Sequence, residues 1–207
     1  MGRPPRPDAP PRRVVDIARR EELRAQAGHV FAQMGFAHAK MRDIADATGI
    51  LAGSIYHHFR SKDEILLELM QNFHDDILRD LHAIIDVEGR PVDQLTLMIK
   101  LSVRYILERP DESRIINQDF QYLQATPEFS GVVEKARAAS KIWLDVLRRG
   151  VHAGELRDDM NIEIAYATLM GSIFSTLRWY RPTGKVRPEE FSAQLTSQLL
   201  DGLRKNG

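Results

Sequence analysis

The stretch that most constrains the fold is residues 41–62, MRDIADATGILAGSIYHHFRSK, in which two short helical patterns follow each other across a glycine. Ile44 and Ala45 give the first pattern a small apolar face, and Gly49 stands where the chain must turn sharply. The second pattern predicts a helix over residues 52–59, with Ile55 and Phe59 four residues apart and directed inward. This spacing is typical of a helix-turn-helix, whose small outer side chains allow close approach to a DNA groove.

The composition indicates a soluble globular protein of one large domain or two small ones, because 43% of the 207 residues are hydrophobic and 28% are charged. There is no cysteine, which excludes disulfides, thiolate metal sites and cysteine nucleophiles. No apolar run approaches the roughly 20 residues that span a bilayer, and the first residues, MGRPPRPDAPP, lack the apolar core of a signal peptide. We therefore predict a cytoplasmic protein without a membrane partner.

Charge is balanced overall but not along the chain. Lys+Arg and Asp+Glu each count 29, which excludes a uniformly basic coat, yet residues 3–24 hold seven arginines against four acidic residues. Residues 1–12 contain five of the ten prolines and three of those arginines, a composition that favours an extended, disordered arm. Two interpretations of this arm stay open: a solvated tail, or a basic arm that contacts DNA phosphates or the minor groove.

The hydrophobic periodicity predicts an all-α fold of about nine helices, with no segment of convincing strand alternation. A Ser61–Glu64 capping box begins a long helix. We place a domain boundary inside that helix, which divides the chain into an arm at 1–12, a helix-turn-helix domain at 13–70 and a second helical domain at 71–207. The predicted helices cover residues 14–34, 41–48, 52–59, 61–87, 92–108, 112–124, 127–153, 162–180 and 188–204.

The helix-turn-helix stretch closely resembles the DNA-binding signature of the TetR family of bacterial regulators. The family frame "IA…G…G…Y.HF..K..L" is matched without a gap by Ile44, Ala45, Gly49, Gly53, Tyr56, His58, Phe59, Lys62 and Leu66. A lone helix-turn-helix motif is weak evidence, but this many positions in one frame is specific. The resemblance implies a homodimer that binds a pseudo-palindromic operator in double-stranded DNA and dimerises through its last two helices.

The same resemblance implies roles for individual residues in DNA binding. By this resemblance Lys40, Met41 and Arg42 approach the DNA backbone or groove edge. Ala52, Gly53 and Ser54 face bases, and Tyr56, His57 and Lys62 hold phosphates. The chain departs from the family pattern at Leu51 and Ala52, where relatives carry a polar cap and often a lysine. This departure leaves few donors to base edges.

Several residues of the second domain are candidate ligand contacts. Two interpretations are open for the helix over residues 112–124: polar residues on an ordinary outer surface, or polar groups that orient a ligand in an apolar cavity. Aromatic residues and arginines further on could be core or helix-end residues, or could bind phosphate, carboxylate or adenine. The candidates are Arg114, Gln118, Asp119, Tyr122, Trp143, Arg178 and Trp179.

The RWYRP.G ending and the QD pair of the sixth helix look like the TetR subgroup that represses lipid or steroid degradation and responds to acyl-coenzyme A thioesters. This narrower resemblance implies a small-molecule effector and no cofactor. No HExxH, GxSxG, Walker A or GxGxxG motif is present, and His57 and His58 point roughly 100° apart on a helix, so we predict neither catalysis nor a metal site. The alternative is an architectural DNA-binding protein without an effector.

Overall fold

The computed structural model describes residues 12–204, and within that range the chain forms nine α-helices, one short 3-10 helix and no strand. The predicted all-α fold is therefore confirmed. Of the predicted arm at residues 1–12, all but Arg12 lie outside the described residues. The helices are α1 (Arg12–Met34), α2 (Met41–Thr48), α3 (Ala52–Ile55), α4 (Lys62–Ile85), α5 (Pro91–Glu108), α6 (Pro110–Ala125), the 3-10 helix (Pro127–Phe129), α7 (Ser130–His152), α8 (Ile162–Trp179) and α9 (Pro188–Asp201).

Two compact units make up the chain: unit 1 is Met1–Leu69 and unit 2 is Met70–Gly207. The division falls inside α4, so this one helix belongs to both units.

Unit 1 is built from α1, α2, α3 and the beginning of α4. Its two turns depend on glycine, because Gly35 has a φ of 78° and Gly49 a φ of 65°, a left-handed conformation that costs other residues free energy. The interior between these helices is apolar, and Phe31 meets Phe36 edge-on at 5.0 Å between ring centroids. Its fully buried side chains include Leu23, Phe31, Phe36, Ile44, Ile55, Phe59, Ile65 and Leu66.

The start of α4 carries the polar contacts that the capping pattern predicts, with one difference. The backbone N–H of Glu64 donates to Ser61 Oγ at 3.1 Å, as expected of a capping serine. The Glu64 carboxylate, however, accepts from the backbone N–H of Arg60 at 2.6 Å. Both bonds satisfy backbone N–H groups at the start of α4, so the N-terminus of this helix is well capped.

Unit 2 is organised around α5, which packs against α6, α7, α8 and α9. Its interior contains one buried amide that ties three elements together. Gln94 Nε2 donates to the carbonyl of Ile85, the last residue of α4, and to that of Val87 just after it. Gln94 Oε1 accepts from Arg149 at 2.6 Å. The last carbonyls of a helix have no hydrogen-bond partner within the helix, and Gln94 supplies one for the Ile85 carbonyl of α4.

Most helix boundaries differ from the predicted ones by one to four residues, and those of α3, α6 and α7 have a clear local reason. The regular part of α3 ends at Ile55 instead of residue 59, because Tyr56–His58 form a tight turn with i→i+3 bonds such as His58 N to Ile55 O at 2.8 Å. α6 begins at Pro110, since proline at the first helical position needs no N–H partner. The segment Pro127–Phe129 is a separate 3-10 helix before α7.

Candidate functional site

The outer surface of the helix-turn-helix in unit 1 carries the residues predicted to contact DNA. We call Lys40–Arg42, Leu51–Ser54, Tyr56 and His57 the reading surface. Among its described side chains, the exposed predicted residues are Lys40, Arg42, Gly53, Tyr56 and His57, and the half-buried ones are Met41 and Ser54. Lys62 is half-buried as well, and Ala52 is the first residue of α3. Gly53 of the short α3 and the Tyr56 and His57 side chains of the following turn therefore face outward, while Ile55 and Phe59 are buried inside.

Arg20 of α1 fixes this surface from behind. Its guanidinium donates to the carbonyl of His58 and to the carboxylates of Glu68 and Glu64, and it lies 4.0 Å from the centroid of the Phe59 ring. One planar cation thereby joins the end of the helix-turn-helix to α1 and α4. Arg20 comes 38 residues before His58 and 48 before Glu68, so no local pattern points to it.

The charges around Arg20 support one another. The hydrogen bond to Glu68 raises the pKa of Arg20 further above its usual value, against the opposing effect of burial. The backbone N–H of Arg60, followed by Arg20, holds the pKa of the Glu64 carboxyl below its usual range. Both groups are therefore charged at neutral pH, and the contact is a pair of charge-assisted hydrogen bonds.

Unit 2 contains a cavity of about 380 Å³ between helices α4, α5, α6, α7 and α8. Each of these five helices contributes four lining residues, most of them apolar. Trp143 of α7 and Phe174 of α8 are among the large side chains of the wall. A cavity of this size with few polar groups is suited to an apolar small molecule or to the apolar part of a larger one.

His74 of α4 is the most deeply buried ionisable side chain of the cavity wall, at 4% exposure. Its Nδ1 lies 2.8 Å from the carbonyl oxygen of Met70, so Nδ1 carries the hydrogen and donates. Burial is the largest cause that lowers the pKa of His74, and the ring is therefore neutral at pH 7. The edge of the ring opposite Nδ1 contains Nε2, which is an acceptor in this tautomer.

Hydroxyl groups and one amide supply the other polar groups of the cavity wall. Ser140 Oγ and the Tyr166 hydroxyl lie 2.8 Å apart and share a hydrogen bond. Burial raises the pKa of Tyr166, partly offset by that bond, so the phenol remains protonated and able to donate. Ser102, Ser113 and Asn117 also line the wall. The cavity can therefore orient a mostly apolar ligand through a few hydroxyl, amide and imidazole groups.

The part of α4 that lines the cavity is held in place by ion pairs on its outer side. Asp75 pairs with Lys135 of α7 at 2.6 Å, and Asp76 pairs with Arg109 at 2.8 Å. Asp80 accepts from Arg104 at 2.8 Å and from the Tyr105 hydroxyl at 3.1 Å. These contacts link α4 to helices on both sides of the cavity within unit 2.

Comparison with known proteins identifies both parts of the chain. Residues 23–69 match the family model of bacterial regulatory proteins, tetR family, and residues 88–203 match the tetracyclin repressor-like C-terminal domain. The chain belongs to the TetR family. The HTH-type transcriptional repressor KstR2 of Mycobacterium tuberculosis is 33% identical over 190 residues, which cover 92% of this chain and 95% of the relative.

Solved structures agree with this TetR assignment. The ketosteroid transcriptional regulator KstR2 of Mycobacterium tuberculosis superposes with a TM-score of 0.85 at 32% identity, over 91% of this chain and 96% of that one. AibR, solved in complex with isovaleryl coenzyme A and operator DNA, has a TM-score of 0.76 at 15% identity, over 87% of this chain and 97% of that one. The AibR comparison shows a shared fold.

The ammonium of Lys62 in this TetR-family chain is bound within the protein, unlike that of an exposed lysine that contacts only DNA phosphate. Its ammonium donates to the carbonyls of Phe36, Ala37 and Ala39 at 2.8, 3.4 and 3.0 Å, and it lies 4.4 Å from the Phe36 ring centroid. An ammonium has three hydrogens, and all three have acceptors in the loop between α1 and α2. This arrangement gives Lys62 a structural role, and its contact with DNA stays a prediction.

The predicted ligand residues are divided between the cavity and the outer surface. Trp143 lines the cavity, and its contact with a ligand stays a prediction. On α6, the lining residues are Ser113, Ile116, Asn117 and Phe120, which share one helix face. The other six predicted residues are outside the described cavity wall: Arg114 and Asp119 are half-buried, and Gln118, Tyr122, Arg178 and Trp179 are exposed.

Sequence reasoning missed His74, although a signal was present. His74 lies four residues after Met70, three before Ile77 and seven before Leu81, so it occupies the apolar stripe of α4. A single imidazole inside such a stripe indicates a buried polar group. The structure places it in the cavity wall with those apolar neighbours Ile77 and Leu81.

Two other kinds of site are not found in the described part of this TetR chain. Residues 12–204 contain no group of three or more His, Asp or Glu side chains that could hold a metal ion. In the same range, no helix is both long and apolar enough to cross a membrane.

Proposed function

We propose that this TetR-family protein is a homodimeric transcriptional repressor that leaves its operator when a small molecule occupies the cavity of unit 2. The observation that carries the proposal is that α4 contributes to both functional sites. Its first turns hold Glu64 and Glu68, which bind Arg20 behind the reading surface. Its later turns supply four residues of the cavity wall: Phe73, His74, Ile77 and Leu81.

In unit 1, the proposed DNA contacts follow the exposed reading surface. Lys40 and Arg42 stand at the start of α2 with their charges exposed, and they suit contacts with the DNA backbone together with Met41. The start of α3, with Gly53 and Ser54 after Ala52, enters the major groove. Tyr56 and His57 supply phosphate contacts by hydrogen bonding. Lys62, whose three ammonium hydrogens are bound within the loop between α1 and α2, contributes its positive charge.

The effector that fits unit 2 best is a coenzyme A thioester of a lipid- or steroid-derived acid, with its acyl part in the cavity. The wall is mainly apolar, and its hydroxyls and His74 can orient oxygen atoms on the acyl group. Similarity to KstR2, a ketosteroid regulator, supports the class of acid. AibR demonstrates that a protein of this fold can bind an acyl-coenzyme A.

Helix α8 supplies a route for the polar part of such a thioester. Tyr166, Met170 and Phe174 line the cavity at intervals of four residues, and Arg178 follows one turn beyond Phe174 on the same side of the helix. Arg178 and Trp179 are exposed at the end of α8, where a guanidinium can bind phosphate and an indole can stack on adenine. The outer α6 residues Arg114, Gln118, Asp119 and Tyr122 are further candidates for polar contacts.

Release from DNA requires that the effector bind one conformation better than another. A ligand shifts a two-state equilibrium only by its differential affinity, and each tenfold preference corresponds to about 1.4 kcal/mol. Because α4 lines the cavity and also carries the partners of Arg20, a displacement of α4 caused by the ligand changes the support of the reading surface. This gives the coupling a continuous physical element.

A homodimer through α8 and α9 is supported by their outer faces. On α8, Ile164 is 67% exposed, and the exposed residues Ala167, Thr168 and Gly171 continue the same stripe with small side chains. No atom lies within 4 Å of a Cβ placed on Gly171, so this stripe is open to close approach by a second helix. On α9, Phe191 and Leu200 pack into the core of their own protomer, and the exposed residues include Ala193, Gln194 and Ser197.

The decisive experiment selects binding sites from a random DNA pool and then footprints the selected site. A repressor protects one palindromic site, whereas an architectural protein coats the probe and binds nearly independently of sequence. Long-chain and steroid-derived coenzyme A thioesters are then titrated into the complex, with free coenzyme A and the free acids as controls. We expect a thioester to release the protein at micromolar concentration. Uniform coating of the probe would contradict the repressor, and retention of DNA with every thioester would contradict the effector class.

A further inference from the structure

The most exposed large hydrophobic residue of the described chain is Leu51, at 81% of its surface. It is the N-cap of α3, with φ −67° and ψ 139°, and its side chain makes no capping hydrogen bond. N-cap positions favour Ser, Thr, Asp or Asn, because their side-chain oxygen accepts from a free backbone N–H of the first turn. Leucine at this position therefore leaves the helix uncapped and also exposes an apolar group to water.

Gly53, two residues later, departs from local preference in a second way. A glycine within a helix is less stable than alanine unless a positive φ or a close neighbour requires it. Gly53 has no positive φ, and a Cβ placed on it would meet nothing within 4 Å. The fold of unit 1 therefore has no need of either Leu51 or Gly53, and both stand on the reading surface.

A DNA major groove accounts for both residues. Glycine at an exposed position allows the backbone to approach a partner closely, and an adjacent apolar side chain gains free energy when an apolar group covers it. The major-groove edge of a base pair offers one such group, the C5-methyl of thymine, which apolar side chains contact in direct readout. Leu51 has the required chemistry, since it carries two methyl groups and no hydrogen-bond donor.

We propose that Leu51 is a specificity-determining residue that packs against the methyl group of one thymine in each operator half-site. The inference rests on the proposed function, because it requires a sequence-specific operator. It assigns part of the base preference to a residue that the family frame does not assign to bases. It also explains how α3, which presents few hydrogen-bond donors to base edges, can discriminate between bases.

Exposed leucines are common on protein surfaces, and Leu97 on α5, at 51% exposure, is an example in unit 2. The two leucines make a matched pair for a test. Leu51→Ser places a good N-cap residue on α3 and should keep or improve folding. Leu97→Ser removes an exposed leucine far along the sequence from α3 and serves as the control.

The experiment uses the full-length protein and a binding site selected from random DNA. Each thymine of the site is replaced in turn by deoxyuridine, which removes only the C5-methyl, and affinity is measured for the wild type, Leu51→Ser and Leu97→Ser. One buried methyl group is worth about 0.8 kcal/mol, which converts to roughly a fourfold change in affinity. We expect one thymine per half-site whose replacement weakens wild-type and Leu97→Ser binding about fourfold and leaves Leu51→Ser binding unchanged.

The possible outcomes separate this inference from the proposed function. If the wild type selects no site, sequence-specific repression fails and the inference fails with it. If a site is selected but no deoxyuridine weakens binding, or if Leu51→Ser shows the same sensitivity as the wild type, only the role of Leu51 is wrong. Thermal unfolding of the three proteins verifies that each is folded, so a lost response cannot come from a damaged α3.

Discussion

Units 1 and 2 use their half-buried cations in different ways. In unit 1, Arg20 and Lys62 donate to backbone carbonyls, Arg20 in addition to its bonds with Glu64 and Glu68, and they hold loops and short helices in position. In unit 2, Arg109 and Lys135 pair with carboxylates of α4 and brace one wall of a cavity. The difference follows from the elements that each unit must fix: α3 has a single turn of its own, whereas the helices of unit 2 are long enough to pack by side chains.

The local departures from good helix chemistry also differ between the units. In unit 1 they lie on the outside, at Leu51 and Gly53, where no protein neighbour explains them. In unit 2 the departure is inside, where a cavity and the buried imidazole of His74 interrupt an apolar core. Departures from local rules are expected at functional positions, so the comparison locates one site on a surface and the other in an interior.

The largest effect is expected from Trp143→Ala, which tests whether the cavity wall supports the core of unit 2. Trp143 is 4% exposed, and loss of a buried tryptophan side chain lowers the free energy of unfolding by about 3–5 kcal/mol. Leu97→Ala, at an exposed position, should change it by less than about 0.5 kcal/mol. Denaturant unfolding measures both, and a loss below about 1 kcal/mol for Trp143→Ala would mean that the wall collapses into the cavity at little cost.

Arg20→Met is expected to have the next largest effect, and it tests the support behind the reading surface. The variant leaves the His58 carbonyl and the Glu64 and Glu68 carboxylates without their shared donor. Loss of hydrogen bonds to a charged group should lower the free energy of unfolding by about 2 kcal/mol. We also expect operator affinity to fall at least about tenfold, because one misplaced contact on each reading surface is enough for that change.

Arg19→Met is the matched control for Arg20, since the Arg19 guanidinium pairs with Glu22 on the surface of the same helix. Surface pairs of this kind contribute about 0–1 kcal/mol. Equal loss of operator affinity in the two variants, measured by fluorescence anisotropy, would show that Arg20 acts only through general charge.

His74→Gln tests the buried imidazole through the pH dependence of stability. The pKa of His74 is lowered in the folded protein, so below about pH 6.5 the unfolded chain binds a proton that the folded chain does not. That histidine therefore lowers stability as pH falls through this range, by up to about 1.4 kcal/mol per pH unit, and has no such effect above it. The variant should lose this part of the slope below pH 6.5.

His82→Gln is the control for His74, because His82 lies on the same helix and its Nδ1 is 2.7 Å from the Leu78 carbonyl, but the side chain is exposed. We expect this variant to keep the wild-type slope. Asp75 and Lys135 also act on His74, and both are retained in the two variants. An unchanged slope in His74→Gln would assign the pH dependence to other groups.

Gly53→Ala has the smallest expected effect on stability, and that effect is a gain. Alanine in place of an unconstrained helical glycine should raise the free energy of unfolding by about 0.5–1 kcal/mol. Gly131→Ala on α7 is the control, because a Cβ placed there also meets nothing within 4 Å. We expect both variants to gain stability and only Gly53→Ala to lose operator affinity. Unchanged affinity in Gly53→Ala would remove the argument for close approach at α3.

The presence of the helices and the match to the family frame could be predicted from local sequence. The helix boundaries could be predicted less well. The positions of Gly35 and Gly49 follow from the left-handed turns that they make. The shortened α3 could not be predicted, because the inward residues Ile55 and Phe59 keep helical spacing through a segment whose bonds change to i→i+3. The side of α6 that faces the cavity was also beyond prediction, since Ser113 and Arg114 are both compatible with an amphipathic helix.

The sequence by itself determined which segments are helical, where glycine ends them and which family the helix-turn-helix stretch resembles. These properties depend on residues within a few positions of each other. Tertiary structure alone decided that Arg20 donates to the His58 carbonyl, that Lys62 donates to carbonyls of the α1–α2 loop and that His74 lines a cavity. The physical reason is that helical periodicity specifies which side chains share a face, whereas the partner of that face comes from segments that are distant in sequence.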